Sequence, residues 1–155
     1  MKFLKVVPYD FQNASRNNRE LNIISDFTSN ITIIGKKRIN EDSKINFAYI
    51  GLSTKYLGIS RFLNLPNRLI SIFVWAHQIK KLKANIISCH DLTCLFIAWL
   101  STVGVRKKNK PKLIYDSHEF EMGRDTGKKR NFIKQKFILH LERFLIKKCT
   151  FSIMV

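Results

Sequence analysis

Short apolar runs of strand character alternate along this chain with longer runs of helical period, and that alternation limits the fold more than any other feature. The strand-like runs fall at residues 3–7, 31–34, 45–51, 85–88, 112–115 and 150–155. Between them, apolar residues recur three and four apart over 13–27 (Leu21, Ile24, Phe27), 66–83 (Leu69, Ile72, Phe73, Ala76, Ile79, Leu82), 92–103 and 128–148. Parallel neighbours need a crossover long enough to hold a helix, so this succession predicts an α/β fold: a mainly parallel sheet with helices on both faces. Pro66 suits the first turn of its helix, where a backbone N–H has no partner to lose. Residues 53–65, with Gly58 inside and Pro66 after, read as a loop with a helical turn. At 155 residues the chain is one domain, 1–155, long enough to bury a core.

Two of the strand-like runs end in side chains that titrate and hydrogen-bond. Asn85-Ile86-Ile87-Ser88 runs into Cys89-His90-Asp91, and Lys112-Leu113-Ile114 runs into Tyr115-Asp116-Ser117-His118-Glu119. In an open parallel sheet, ligands bind in the crevice outside the carboxyl ends of the strands. Adjacent strands lie ~4.8 Å apart, so on neighbouring strands these endings put His90 and His118 on one crevice. Asp91 sits just before the helix from Leu92, and its first reading is a cap on exposed N–H groups; its second is a ligand contact. Asp116 and Glu119 either orient His118 or cap the turn that follows.

A strand ending in His-Asp, an apolar helix, a basic loop and then Lys-Leu-Ile-Tyr-Asp-Ser-His-Glu resembles the N-terminal domain of family 4 glycosyltransferases, which have the two-domain GT-B fold. The opening strand, a loop and helix around Arg16-Asn17-Asn18-Arg19-Glu20, and a late helix closing on Glu142-Arg143 continue the resemblance in order. It implies a Rossmann-like domain, the acceptor-side half of a hexosyltransferase-like enzyme, expected to retain anomeric configuration. Such an enzyme moves sugar from a nucleotide-sugar to a glycan, lipid-linked or polysaccharide acceptor. His118 matches the family histidine that approaches the transferred sugar and is the catalytic candidate. His90, Asp91, Asp116, Glu119, Arg16 and Arg19 are the acceptor-binding candidates. No resident cofactor is implied; the nucleotide-sugar is a co-substrate, held by a C-terminal domain that the resemblance places outside these 155 residues. The chain is thus expected to be a truncated or split half, inactive alone, with a separate C-terminal half as a partner. The loop 9–14 has no glycine where many members carry a Gly-rich turn.

Charge bounds the partners. There are 28 Lys+Arg against 11 Asp+Glu, a net charge of +17, which favours anionic partners. A basic nucleic-acid-binding α/β module is the rival reading, but no RRM-type Lys/Arg-Gly-Phe run, zinc-finger spacing or GxxG loop accompanies the charge, and no specific nucleic acid is expected. The last helical run places Ile133, Phe137, Leu141 and Phe144 on one stripe, with Lys134, Lys136, Arg143, Lys147 and Lys148 around it. That stripe is read as facing the core. A basic amphipathic helix of this kind also suits an anionic membrane surface, peripheral to the inner face of the cell membrane.

Three cysteines, Cys89, Cys94 and Cys149, make an odd count without framework spacing and point to a reducing, cytoplasmic setting. The opening apolar run is short and interrupted by Lys5, unlike a signal peptide. The longest apolar stretch, 92–105, falls short of the roughly 20 residues that cross a bilayer. Cys89, His90 and Cys94 lack the second pair of ligands that zinc wants, and no metal is assigned. The glycines at 35, 51, 58, 104, 123 and 127 form neither G-x-G-x-x-G nor a phosphate loop.

Overall fold

The apolar runs become strands and the periodic runs helices in the computed structural model, which describes residues 1–9, 15–36, 47–57, 61–117 and 132–154. In chain order the elements are β1 (Phe3–Val6), α1 (Ser15–Ser25), β2 (Ile31–Lys36), β3 (Ala48–Leu52), α2 (Asn64–Leu82), β4 (Ile86–Cys89), α3 (Leu92–Ser101), β5 (Lys112–Ser117), α4 (Phe132–Ile146) and β6 (Phe151–Met154). One 3-10 turn, Arg61–Leu63, leads into α2, and another, Lys107–Asn109, lies in the basic loop before β5. The strands form one sheet in the order β3-β2-β1-β4-β5-β6, with all five pairings parallel. This is an α/β, Rossmann-like arrangement.

Side chains alternate across the sheet, and each face has its own helices. Phe3 and Val7 pack with Leu21 of α1 and with Ile31 and Ile33 of β2. Leu4 and Val6 face the other way, into a larger core with Trp75, Ala76 and Ile79 of α2, Leu95 and Ala98 of α3, and Leu145 of α4. The strand β5 outlasts its apolar run because β6 pairs with its end: Asp116 lies opposite Ile153 and Ser117 opposite Met154.

Three expectations about helix faces change. Phe27 lies past the end of α1 and is exposed. On α2 the periodic set divides: Ala76 and Ile79 are buried, while Leu69 and Phe73 are exposed. The stripe of α4 divides as well: Ile133 and Phe137 are 75% and 67% exposed, while Leu141 packs against the core. Glu142 and Leu145 are buried, with Ile138 packed beside them. Glu142 is held there by a buried hydrogen bond, in which the Tyr115 hydroxyl donates to Glu142 Oε1 at 3.0 Å.

Candidate functional site

The sheet reverses its winding between β1 and β4, because the chain leaves β1 toward β2 and leaves β4 toward β5 on the opposite side. Such a switch point opens a crevice at the carboxyl edge. Tyr9, just past β1, meets His90, just past β4, in that crevice. The Tyr9 hydroxyl and His90 Nε2 are 3.1 Å apart, and the rings stand edge to face with centroids at 5.1 Å. Either partner donates, according to the imidazole tautomer. The backbone fixes both residues: His90 N–H donates to Val6 O at 3.2 Å, and Lys36 N–H donates to Tyr9 O at 3.2 Å. Gly35 makes the second contact possible. A Cβ there would lie 2.5 Å from the Tyr49 hydroxyl and 2.8 Å from the Tyr9 carbonyl oxygen.

Asp91 is a helix cap. Its backbone is extended and its Oδ1 accepts the Cys94 N–H at 2.7 Å, satisfying one of the free donors at the start of α3. Asp91→Ala is expected to cost about 1 kcal/mol of stability, and Asp91→Asn or Asp91→Ser much less. Urea unfolding of the three variants is the check, and equal losses in all three would discount the cap.

Beneath the crevice, on the α1 face, lies a buried charge cluster. Lys5, in the middle of β1, is fully buried. Its Nζ donates to Glu20 Oε2 of α1 at 2.6 Å, to Ser88 Oγ of β4 at 3.1 Å and to Asp116 Oδ2 of β5 at 3.4 Å. Ser88 Oγ in turn donates to Glu20 Oε1 at 3.2 Å. All three ammonium protons therefore have acceptors, and a charge in the interior demands that. Asp116, expected at the acceptor, is buried and accepts from Lys5.

Of the other expected residues, Arg19 is exposed on α1. Arg16 lies in the first turn of that helix, and its side chain, like His118 and Glu119 as a whole, lies outside the described residues. Burial pushes the Cys89 and Cys94 thiols well up and the Cys149 thiol to about 11. Thiols raised in this way are weak nucleophiles at neutral pH, which suits packing. Among the described residues no three His, Cys, Asp or Glu side chains converge on a metal position.

Sequence reasoning missed Lys5, Glu20, Ser88 and Tyr9. The signal was Lys5 itself, a cation inside an otherwise apolar strand, since such a residue is buried only with partners. It also missed a groove of about 690 Å³ at the carboxyl edge between α2 and the start of α3, lined by Lys36, Lys55, Arg68, Trp75 and Thr93. Asn67 Oδ1 accepts the N–H groups of Tyr56 and Leu57, both at 2.8 Å, and Trp75 Nε1 donates to Ser53 O at 3.1 Å. These bonds pin the 53–57 loop to α2 and hold Lys55 at the groove. A second groove, of about 920 Å³, opens at the amino edge and is lined by Lys80, Lys83, Lys108, Lys110 and Lys112.

Compared with protein-family models and with curated proteins, the chain matches none.

Proposed function

We propose that this chain is the acceptor-side domain of a GT-B glycosyltransferase that uses a nucleotide-sugar and a glycan, lipid-linked or polysaccharide acceptor. The observation that supports this reading is the Tyr9 and His90 pair at the switch point, beside the β5 end that runs on into His118-Glu119. A paired phenol and imidazole at the mouth of a crevice form a donor and acceptor set for a sugar hydroxyl. In the reaction the anomeric bond to the diphosphate breaks, the acceptor oxygen bonds to that carbon, and the hydroxyl proton passes to the departing diphosphate oxygen. His90 and Tyr9 would orient the acceptor, and His118 would face the sugar in transfer. The donor diphosphate belongs to a second Rossmann-like domain in this reading, which suits a first domain with no glycine-rich phosphate turn.

The test is reconstitution. The 155-residue chain should transfer no sugar from any nucleotide-sugar, and a donor-binding domain supplied in trans should restore turnover. Transfer by the chain alone, abolished by His90→Ala, would overturn this division of labour. The amino-edge groove supports a second reading, a sequence-indifferent nucleic-acid interface, because among the described residues five lysines line it and no carboxylate does. A steeply salt-dependent affinity for duplex DNA that exceeds any glycan or nucleotide-sugar binding would favour that reading.

A further inference from the structure

The carboxyl-edge groove gathers three cations from three separate elements. Lys36 ends β2, Lys55 stands on the 53–57 loop and Arg68 lies near the start of α2, and all three line the same cavity of about 690 Å³. The backbone around each is fixed. Lys36 N–H donates to Tyr9 O at 3.2 Å, and the Lys36 carbonyl accepts the Tyr49 hydroxyl. Lys55 N–H donates to Ser53 Oγ at 3.1 Å, and Ser53 O in turn accepts Trp75 Nε1. Beside Arg68, Asn67 is buried and ties α2 to the amides of Tyr56 and Leu57.

These charges have one sign. Among the described residues no Asp or Glu lines the groove, and Glu20 and Asp116 pair with Lys5 beneath the sheet. Asp91, at the start of α3, accepts the Cys94 N–H. Like charges held together repel, so a bound anion lowers the energy of this arrangement. The first turn of α3 adds to the same field, since Thr93 and Cys94 line the groove and the amino end of a helix carries partial positive charge. The amino-edge groove is built differently. Its Lys80 and Lys83 stand at the end of α2, where cations complement the helix dipole, and Lys80 Nζ donates to Val103 O at 3.4 Å.

Charge and volume together define the occupant. Three cations suit a dianion better than a single carboxylate, and a phosphate monoester carries about −1.5 to −2 at neutral pH on three acceptor oxygens. The cavity lies within the ~300–1,000 Å³ of small-molecule sites, so a phosphate group fills only part of it. Hydroxyls of Thr54, Ser71 and Thr93 share the remaining wall with apolar Trp75 and Ile97, the mixture that a sugar or polyol needs.

We propose that this groove binds the phosphate monoester of a small sugar or polyol, with Lys36, Lys55 and Arg68 holding the phosphate and the hydroxyl-bearing body lying between α2 and the start of α3. The site stands whether or not the chain transfers sugar. In the proposed transferase its occupant is the acceptor, and only that identification rests on the transferase reading.

The experiment is isothermal titration calorimetry of the full 155-residue chain at fixed ionic strength. It uses no donor, so it fails separately from the reconstituted transfer reaction. The probes are glucose 6-phosphate and ribose 5-phosphate, set against glucose, glucuronate and inorganic phosphate. One equivalent of at least one sugar phosphate is expected to bind, roughly tenfold or more tighter than each comparison compound. Lys55→Gln/Arg68→Gln should weaken that binding by roughly tenfold or more, because two charge-assisted contacts are lost. Lys83→Gln/Lys110→Gln at the amino edge should leave it within roughly twofold of wild type. All four substituted side chains are exposed, and thermal unfolding checks that both variants are folded. Failure of both sugar phosphates to bind would overturn the proposal. So would inorganic phosphate binding as tightly as the esters, which marks an adventitious ion only, glucuronate binding as tightly, or an equal loss in the amino-edge variant.

Discussion

Replacing Lys5 with methionine is expected to cost this fold about 3–5 kcal/mol, since it removes the buried cation that joins Glu20, Ser88 and Asp116. The Asp116 side chain is 4% exposed and would lose this buried ion pair, as Glu20 would lose its own. The loss would come less from the attraction removed than from carboxylate charge deprived of a buried cation, so neutralising the carboxylates should return much of it. Lys5→Met combined with Glu20→Gln and Asp116→Asn is therefore expected to be more stable than Lys5→Met alone. Urea unfolding of wild type, the single variant and the triple variant is the measurement. A single variant within about 1 kcal/mol of wild type would mean the cluster does not hold the sheet as its geometry implies.

In a reconstituted transferase, His118→Ala should lower kcat roughly a hundredfold with a modest change in acceptor KM. One hydrogen bond made mainly in the transition state carries on the order of 3 kcal/mol. This expectation comes from the Tyr-Asp-Ser-His-Glu resemblance and from the position of His118 in the chain, one residue beyond the end of β5. A bracing role predicts another pattern. If His118 only supports the strand end, the substitution lowers the melting temperature and leaves turnover per folded molecule near wild type. Kinetics and thermal unfolding on one preparation separate the two, and a less stable but equally active variant would remove His118 from the chemistry.

The parts of this molecule that the sequence made legible are those governed by local rules. Strand runs of four to six residues sit where the apolar runs sit, because backbone alternation needs no distant partner. The start of α3 was readable from Asp91 alone, since a cap bonds to an amide three residues on. The parallel sheet followed from the crossover lengths. The adjacency of the β4 and β5 ends, which puts His90 just past one strand and Asp116 near the end of its neighbour, followed from consecutive β-α-β units.

The helix faces and the charge cluster were not legible. Periodicity shows that a helix has an apolar side but not which neighbour will take it. On α4 the core and Tyr115 took Leu141, Glu142 and Leu145 and left Ile133 and Phe137 outside. On α2 the sheet and α3 took Trp75, Ala76 and Ile79 and left Leu69 and Phe73 outside. Lys5 is the clearest case. Its partners lie 15, 83 and 111 residues away, on a helix and two other strands, and no local pattern encodes such distances. The sequence by itself therefore determined the elements, their order and the strand ends that carry polar residues, because each depends on residues a few positions apart. Only the tertiary structure decided which side chains those elements bury, which cation neutralises which carboxylate, and which apolar stripe faces outward, because those outcomes depend on what the folded chain brings alongside.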